Sequence, residues 1–198
     1  MNKLINIDHG IYDLDKIKHI NYICTNLEEK EYKVDNTEIP KNNERLSYID
    51  IFYKFNKKIE VTTPEMILPF GIDKNYGFQM KLQFTDYKND PNMKSFYNFI
   101  TNLEFNQIKH IGLNEDDLHL YNSQIYQDKD NKYDPLLTVK IPFKKNKFLV
   151  DIYNEDYMLN VLNINKFSKL KCDIYIDKIW KYNEKYVCKW KVSKIYVF

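Results

Sequence analysis

Apolar and polar residues alternate most regularly between Gly77 and Phe84, where Phe78, Met80, Leu82 and Phe84 share one face and Gln79, Lys81 and Gln83 the other. A period of two belongs to a half-buried strand. Leu136 to Phe143 repeats the pattern, with Leu137, Val139, Ile141 and Phe143 opposed to Thr138 and Lys140. Phe148 to Tyr153 follows across the basic turn Lys144-Lys145-Asn146-Lys147. Runs rich in Ile, Tyr and Phe predict further strands at Ile17 to Cys24, Tyr48 to Phe55 and Ile59 to Thr62. Thr63 to Ile72 contains Pro64 and Pro69, and the missing proline N–H confines such a stretch to a sheet edge or a crossover.

The period lengthens in mid-chain. Asp90 can cap free N–H groups, Pro91 suits a first turn, and Met93, Phe96, Ile100 and Leu103 recur at helical spacing, which predicts a helix ending near His110 to Gly112. The charged stretch Glu28 to Arg45 reads as a mobile or hairpin-like excursion, and the acidic stretch Asn114 to Lys132 as a loop insertion.

The C-terminal segment predicts a long hairpin. Its apolar face is Leu170, Cys172, Ile174, Ile176, Trp180 and Tyr182 on one strand, and Tyr186, Cys188, Trp190, Val192, Tyr196 and Phe198 on the other. A one-residue slip would turn one set outward. A three-residue loop, Asn183 to Lys185, avoids this by setting Tyr182 opposite Tyr186, Trp180 opposite Cys188 and Ile176 opposite Val192. Cys172 and Cys188 are then not neighbours, and no disulfide is expected. Lys178 and Lys194 interrupt the inner face and predict a bulge or a barrel rim. Together these elements predict one mainly β domain spanning residues 1–198: an antiparallel barrel of about five strands over 59–198, one packed α-helix near 90–110, loop insertions, and an N-terminal extension (1–47) of undefined role.

Charge changes the picture only locally. Thirty Lys and Arg against 28 Asp and Glu leave a net charge of +2, so the whole chain is no indiscriminate polycation. Residues 166 to 198, in contrast, carry Lys166, Lys169, Lys171, Lys178, Lys181, Lys185, Lys189, Lys191 and Lys194 against Asp173, Asp177 and Glu184. Lysines interleaved with aromatic residues on a sheet can neutralise phosphates and stack bases. This nominates Lys140, Lys171, Tyr175, Lys181, Lys189 and Lys191 as nucleic-acid-binding residues; Trp180 and Trp190, on the apolar face, are assigned to packing.

Other chemistries find less support. Cys24, Cys172 and Cys188 lack paired spacing, which argues against structural zinc and disulfide scaffolds and for a reducing, intracellular setting. Glu115, Asp116, Asp117 and His119 read as a solvated acidic loop, and His9, His19, His110 and His119 lack ligand spacing. No metal, cofactor or catalytic residue is expected. The N-terminus shows no signal-peptide-like apolar run, and no stretch approaches the ~20 apolar residues that span a bilayer; secretion and membrane insertion are not expected. The oligomeric state is left open, a dimer included.

Three segments together carry a resemblance: Val61-Thr62-Thr63-Pro64-Glu65-Met66 leading to Pro69-Phe70-Gly71; Tyr133-Asp134-Pro135-Leu136-Leu137 with Val139-Lys140-Ile141-Pro142; and Ile179-Trp180 through Tyr186 to Trp190-Lys191-Val192. They resemble the single-stranded DNA-binding proteins of nucleocytoplasmic large DNA viruses, which are similar to phage-type replication proteins built on one elaborated oligonucleotide-binding (OB) barrel. The resemblance covers residues 59 to 198 and implies a non-catalytic protein that holds single-stranded DNA during viral replication or recombination, beside other replication proteins, in the host cytoplasm or nucleus. Single Arg45, no alanine, and abundant Lys, Asn, Ile and Tyr suit an AT-rich genome of that kind. One feature departs: the phage-type proteins end in an acidic, aromatic-tipped tail that engages partners, whereas here Phe198 closes the basic strand Lys189 to Phe198. The alternative, from the near-neutral charge and the 17 Tyr, is a virion or assembly protein that binds other proteins without nucleic-acid affinity. An enzyme with a cysteine or acidic-loop site has the least support.

Overall fold

Met80, Leu82 and Phe84 are fully buried, and Gln79, Lys81 and Gln83 face outward between them, as their alternation requires. The structure, a computed structural model, describes residues 4–23, 47–54, 57–75, 77–154, 160–182 and 184–198. The charged excursion Glu28 to Arg45 and Cys24 lie outside the described residues.

In chain order the strands are β1 (Leu4–Ile7), β2 (Ile17–Ile23), β3 (Ser47–Tyr53), β4 (Lys58–Thr62), β5 (Met66–Leu68), β6 (Ile72–Asp73) and β7 (Gln79–Gln83). The helix α1 (Pro91–Ile111) follows, then β8 (Tyr121–Asn122), β9 (Ile125–Tyr126) and β10 (Leu136–Lys140). Short strands β11 (Phe143–Lys144), β12 (Lys147–Phe148) and β13 (Asp151–Asn154) lead to the long pair β14 (Ser168–Tyr182) and β15 (Lys185–Val197).

Five staves close a barrel: β5 pairs with β7, β7 with β10, β10 with β15, β15 with β14, and β14 with β5. All junctions but one are antiparallel; β10 and β15 run parallel, with Val139 opposite Trp190 and Lys140 opposite Lys191. The expected purely antiparallel barrel is corrected here, and the reason is parity. A closed ring with an odd number of strands cannot alternate direction all the way round. One parallel junction is forced, and the 44 residues between β10 and β15, β14 among them, give the long connection that parallel pairing needs. Parallel pairs also add β1 to β4, β13 to β15 and β8 to β15 outside the ring.

The two-proline segment is a break within one stave rather than a crossover. β4 and β5 both pair with β14, and Thr63-Pro64-Glu65 separates them. Pro64 has no N–H to give the ladder. Thr63 bridges the gap: its N–H donates to the Cys172 carbonyl (2.8 Å), and its hydroxyl accepts from the Cys172 N–H (3.0 Å).

Helix α1 begins and ends as its sequence dictates. The Asp90 carboxylate accepts the N–H groups of Asn92 (2.8 Å) and Met93 (3.3 Å), Pro91 opens the first turn, and Gly112 stops the helix at φ 80°. Met93, Phe96, Phe99, Ile100 and Leu103 are buried in one cluster with barrel residues Val61, Leu82, Val139, Ile174 and Trp190. Among the described residues no helix is long and apolar enough to cross a membrane.

Two expectations about irregular segments change. Residues 114–132 are not a free insertion: β8 adds to β15 and β9 adds to β10. The hairpin β14–β15 turns one residue sooner than expected, with Tyr182 opposite Lys185, so Trp180 faces Val187 and Ile179 faces Cys188. Bulges between Asp173 and Ile174 and between Ile176 and Ile179 then re-phase the strands, at the places Lys178 and Lys194 marked. Ile174 lies opposite Val192 and Ile176 opposite Trp190. Cys172 pairs with Ile195, away from Cys188, and both cysteines are free and buried.

Candidate nucleic-acid interface

Across the outside of the barrel, Gln79, Lys140, Lys191, Tyr175 and Glu60 are successive register partners on β7, β10, β15, β14 and β4. Strands lie ~4.8 Å apart, so the row sets two ammonium groups side by side on adjacent staves. Lys81 faces the same way one pleat further along β7, opposite Thr138. Asp73 borders the row beside Gln79. Its carboxylate accepts the Asn75 N–H (2.9 Å) and the Gln79 amide (3.2 Å). These bonds, with Lys81 and Lys140 nearby, hold its carboxyl below the usual range. Gly77, at φ 74°, leaves room for the Lys140 ammonium, which would lie 3.4 Å from a Cβ placed there.

Two exposed rings flank Lys81. Its ammonium lies 5.4 Å from the centre of the Tyr126 ring, and Tyr126 is 54% exposed. Phe70, 60% exposed, lines an open groove of about 460 Å³ with Asp73, Lys74 and Lys81. Phe70 sits between Pro69 and Gly71, the latter at φ 72°, where the chain cannot continue as a strand. Tyr126 is delivered by the pinned insertion. Glu104 of α1 accepts the Ser123 hydroxyl (2.6 Å) and the Gln124 N–H (2.8 Å), and burial pushes its carboxyl up despite both bonds. Sequence reasoning placed Lys81 on the polar face without nominating it, and missed Phe70 and Tyr126. The one local signal was Phe70 between a proline and a glycine; nothing near Tyr126 in the chain reveals its contact with β7.

The nominated residues divide. Lys140, Lys189, Lys191 and Tyr175 share the outer face. Lys191 is paired with Asp177 (3.0 Å), and Lys194 beyond it with Asp173 (3.5 Å). Tyr175 is half-buried; burial, then Asp177 and Glu60, push its hydroxyl up to about 12. It lies between Lys191 and Glu60 in the row, and the Ser193 hydroxyl donates to Glu60 (2.7 Å). Lys171 lies apart, opposite Tyr196, in a separate groove with His9 and Phe198.

Lys181 is on the other side of the hairpin. The bulge at Asp177 and Lys178 reverses the alternation, so Ile179 points inward and Lys181 shares its side, 5.5 Å from the centre of the Tyr186 ring. The same reversal corrects the assignment of Trp180 and Tyr182 to the apolar face: both turn outward. Trp190 is 2% exposed and packs near Phe99, as expected of a core residue.

Burial pushes both the Cys172 and Cys188 thiols well up, which disfavours thiolate. The His119 ring lies 2.7 Å from the Asp116 carbonyl, and among the described residues no three His, Cys, Asp or Glu side chains gather as a metal site requires.

No protein-family model matches the chain, and no curated protein matches it in sequence. Among solved structures, the single-stranded DNA-binding protein from bacteriophage Enc34, in complex with ssDNA, aligns over 75% of this chain and 89% of that chain. The TM-score is 0.48 and the identity 10%.

Proposed function

We propose that this chain is a non-catalytic single-stranded DNA-binding protein that lays the strand across the β7–β10–β15 face. The observation that carries it is the grouping of Lys81, Lys140 and Lys191 on one outer face, flanked by the exposed rings of Phe70 and Tyr126. Lysines there neutralise phosphates, while flat rings accept bases of any identity. The barrel is OB-like, and its second and third staves, β7 and β10, form the face with which such barrels take oligonucleotides. Lys189 extends the interface toward the hairpin tip, whereas Lys171 and Lys181 take no part. The family resemblance of residues 59 to 198 supplies the setting: replication or recombination of viral DNA inside a host cell.

Titration of a labelled oligothymidylate at several salt concentrations tests this. The wild type binds at low salt, and log affinity falls linearly with log salt. Lys81→Gln with Lys140→Gln lowers affinity and flattens the slope by ~0.7 for each phosphate no longer neutralised. Lys171→Gln with Lys181→Gln leaves both unchanged. Absence of binding at low salt, or equal effects of the two pairs, overturns the proposal.

A further inference from the structure

The N-terminal hairpin gives the barrel a wing. β3 pairs with the outer half of β14, Ile179 opposite Ile49 and Trp180 opposite Tyr48, and β2 pairs with β3. The half-buried rings of Trp180 and Tyr48 lie 5.4 Å apart, tilted by 51°. The Lys178 ammonium sits 3.9 Å from the Tyr48 ring centre and 4.9 Å from that of Trp180. Two rings thus hold one cation in place, and among the described residues Lys178 has no carboxylate within ion-pair distance.

Trp180 is opposite Val187, so Lys189 and Lys191 lie two and four residues further along the same outer face. At ~3.3 Å per residue, Lys191 is ~13 Å from the wing rings. The face continues without a break into Lys140 and Lys81.

We propose that Trp180, Tyr48 and Lys178 form a second subsite for single-stranded nucleic acid, one base stacking on Trp180 while Lys178 meets its phosphate. This rests on the single-strand function proposed above and gives the N-terminal hairpin a part in it, because β3 supplies Tyr48. A short oligonucleotide occupies the barrel face alone, and a longer one reaches the wing.

Oligothymidylates of 4 and 16 nucleotides, about the limits of site size for such barrels, separate the two subsites. Intrinsic fluorescence reads Trp180 directly, since Trp190 is buried. The 16-mer quenches the wild type and the 4-mer does not. Trp180→Ala weakens the 16-mer about tenfold and leaves the 4-mer unchanged. Lys178→Gln flattens the salt slope by ~0.7 for the 16-mer only. Where Trp180→Ala loses its fold, Trp180→Phe retains a ring and abolishes the quench without abolishing binding. If both lengths bind with no quench and no effect of Trp180 or Lys178, the subsite is overturned and the barrel-face function stands. If neither length binds, the function fails and the subsite fails with it.

Discussion

The Lys81 ammonium lies 5.4 Å from the centre of the Tyr126 ring, joining a central stave to a segment 45 positions further along the chain. Tyr126 and Phe70 are both more than half exposed, so neither holds the core together. If the proposed interface binds single strands, Tyr126→Ala and Phe70→Ala should each cost ~1–3 kcal/mol of affinity and leave the salt slope unchanged, because a ring is removed while every lysine of that interface remains. Thermal melting should shift little. Affinities equal to wild type for both variants would show that the strand does not cross this face.

Glu104 sets the position of that ring. Its carboxyl is pushed up by burial, so the folded state takes a proton more readily than the unfolded chain does. With a raised carboxyl the sign is reversed from the usual ion-paired acid: this group opposes folding when ionised, and the opposition lifts as pH falls through its folded value. Glu104→Gln removes the charge at all pH values. The difference in melting temperature between variant and wild type should therefore shrink from pH 7 toward pH 4. A constant difference across that range would mean that Glu104 does not titrate with folding.

His19 provides a second titration, of the opposite kind. It stacks on His110 of α1, ring centres 4.2 Å apart and planes within 13°. Burial first, and His110 second, lower its pKa to about 4. A histidine held neutral in the folded state contributes stability above its unfolded value near 6.5, and that stability is lost as pH falls toward 4. Melting temperature should fall across that window in the wild type and fall less in His19→Phe. NMR titration of the His19 ring at an ordinary value would contradict the burial.

The two faces of α1 make a direct comparison. Phe96 is fully buried with its ring centre 5.7 Å from that of Phe84, whereas Phe105 is 68% exposed. Phe96→Ala should cost ~3–5 kcal/mol of stability through forfeited transfer energy and the cavity it leaves. Phe105→Ala should stay within ~0.5 kcal/mol. Chemical denaturation followed by circular dichroism measures both; similar midpoints would mean that the helix is docked by another face.

Local pattern was enough for much of this molecule. The β7 and β10 alternation, the Asp90 cap, the buried stripe Met93 to Leu103, the Gly112 stop and the bulges near Lys178 and Lys194 follow from neighbours within a few residues, where covalent geometry sets the spacing. Lys140 beside Lys191 does not: the two are partners only because a five-stave ring must contain one parallel junction, which local alternation does not locate. Trp180 shows the same boundary at a single side chain. Its strand was legible, but the outward turn of its ring required a bulge whose size is set by the opposing strand, and its partner Tyr48 arrives from the other end of the chain. Phe70 and Tyr126 join Lys81 for a like reason, since the distance between surface side chains is decided by closure of the barrel and by the Glu104 pin, and neither is written within any one segment.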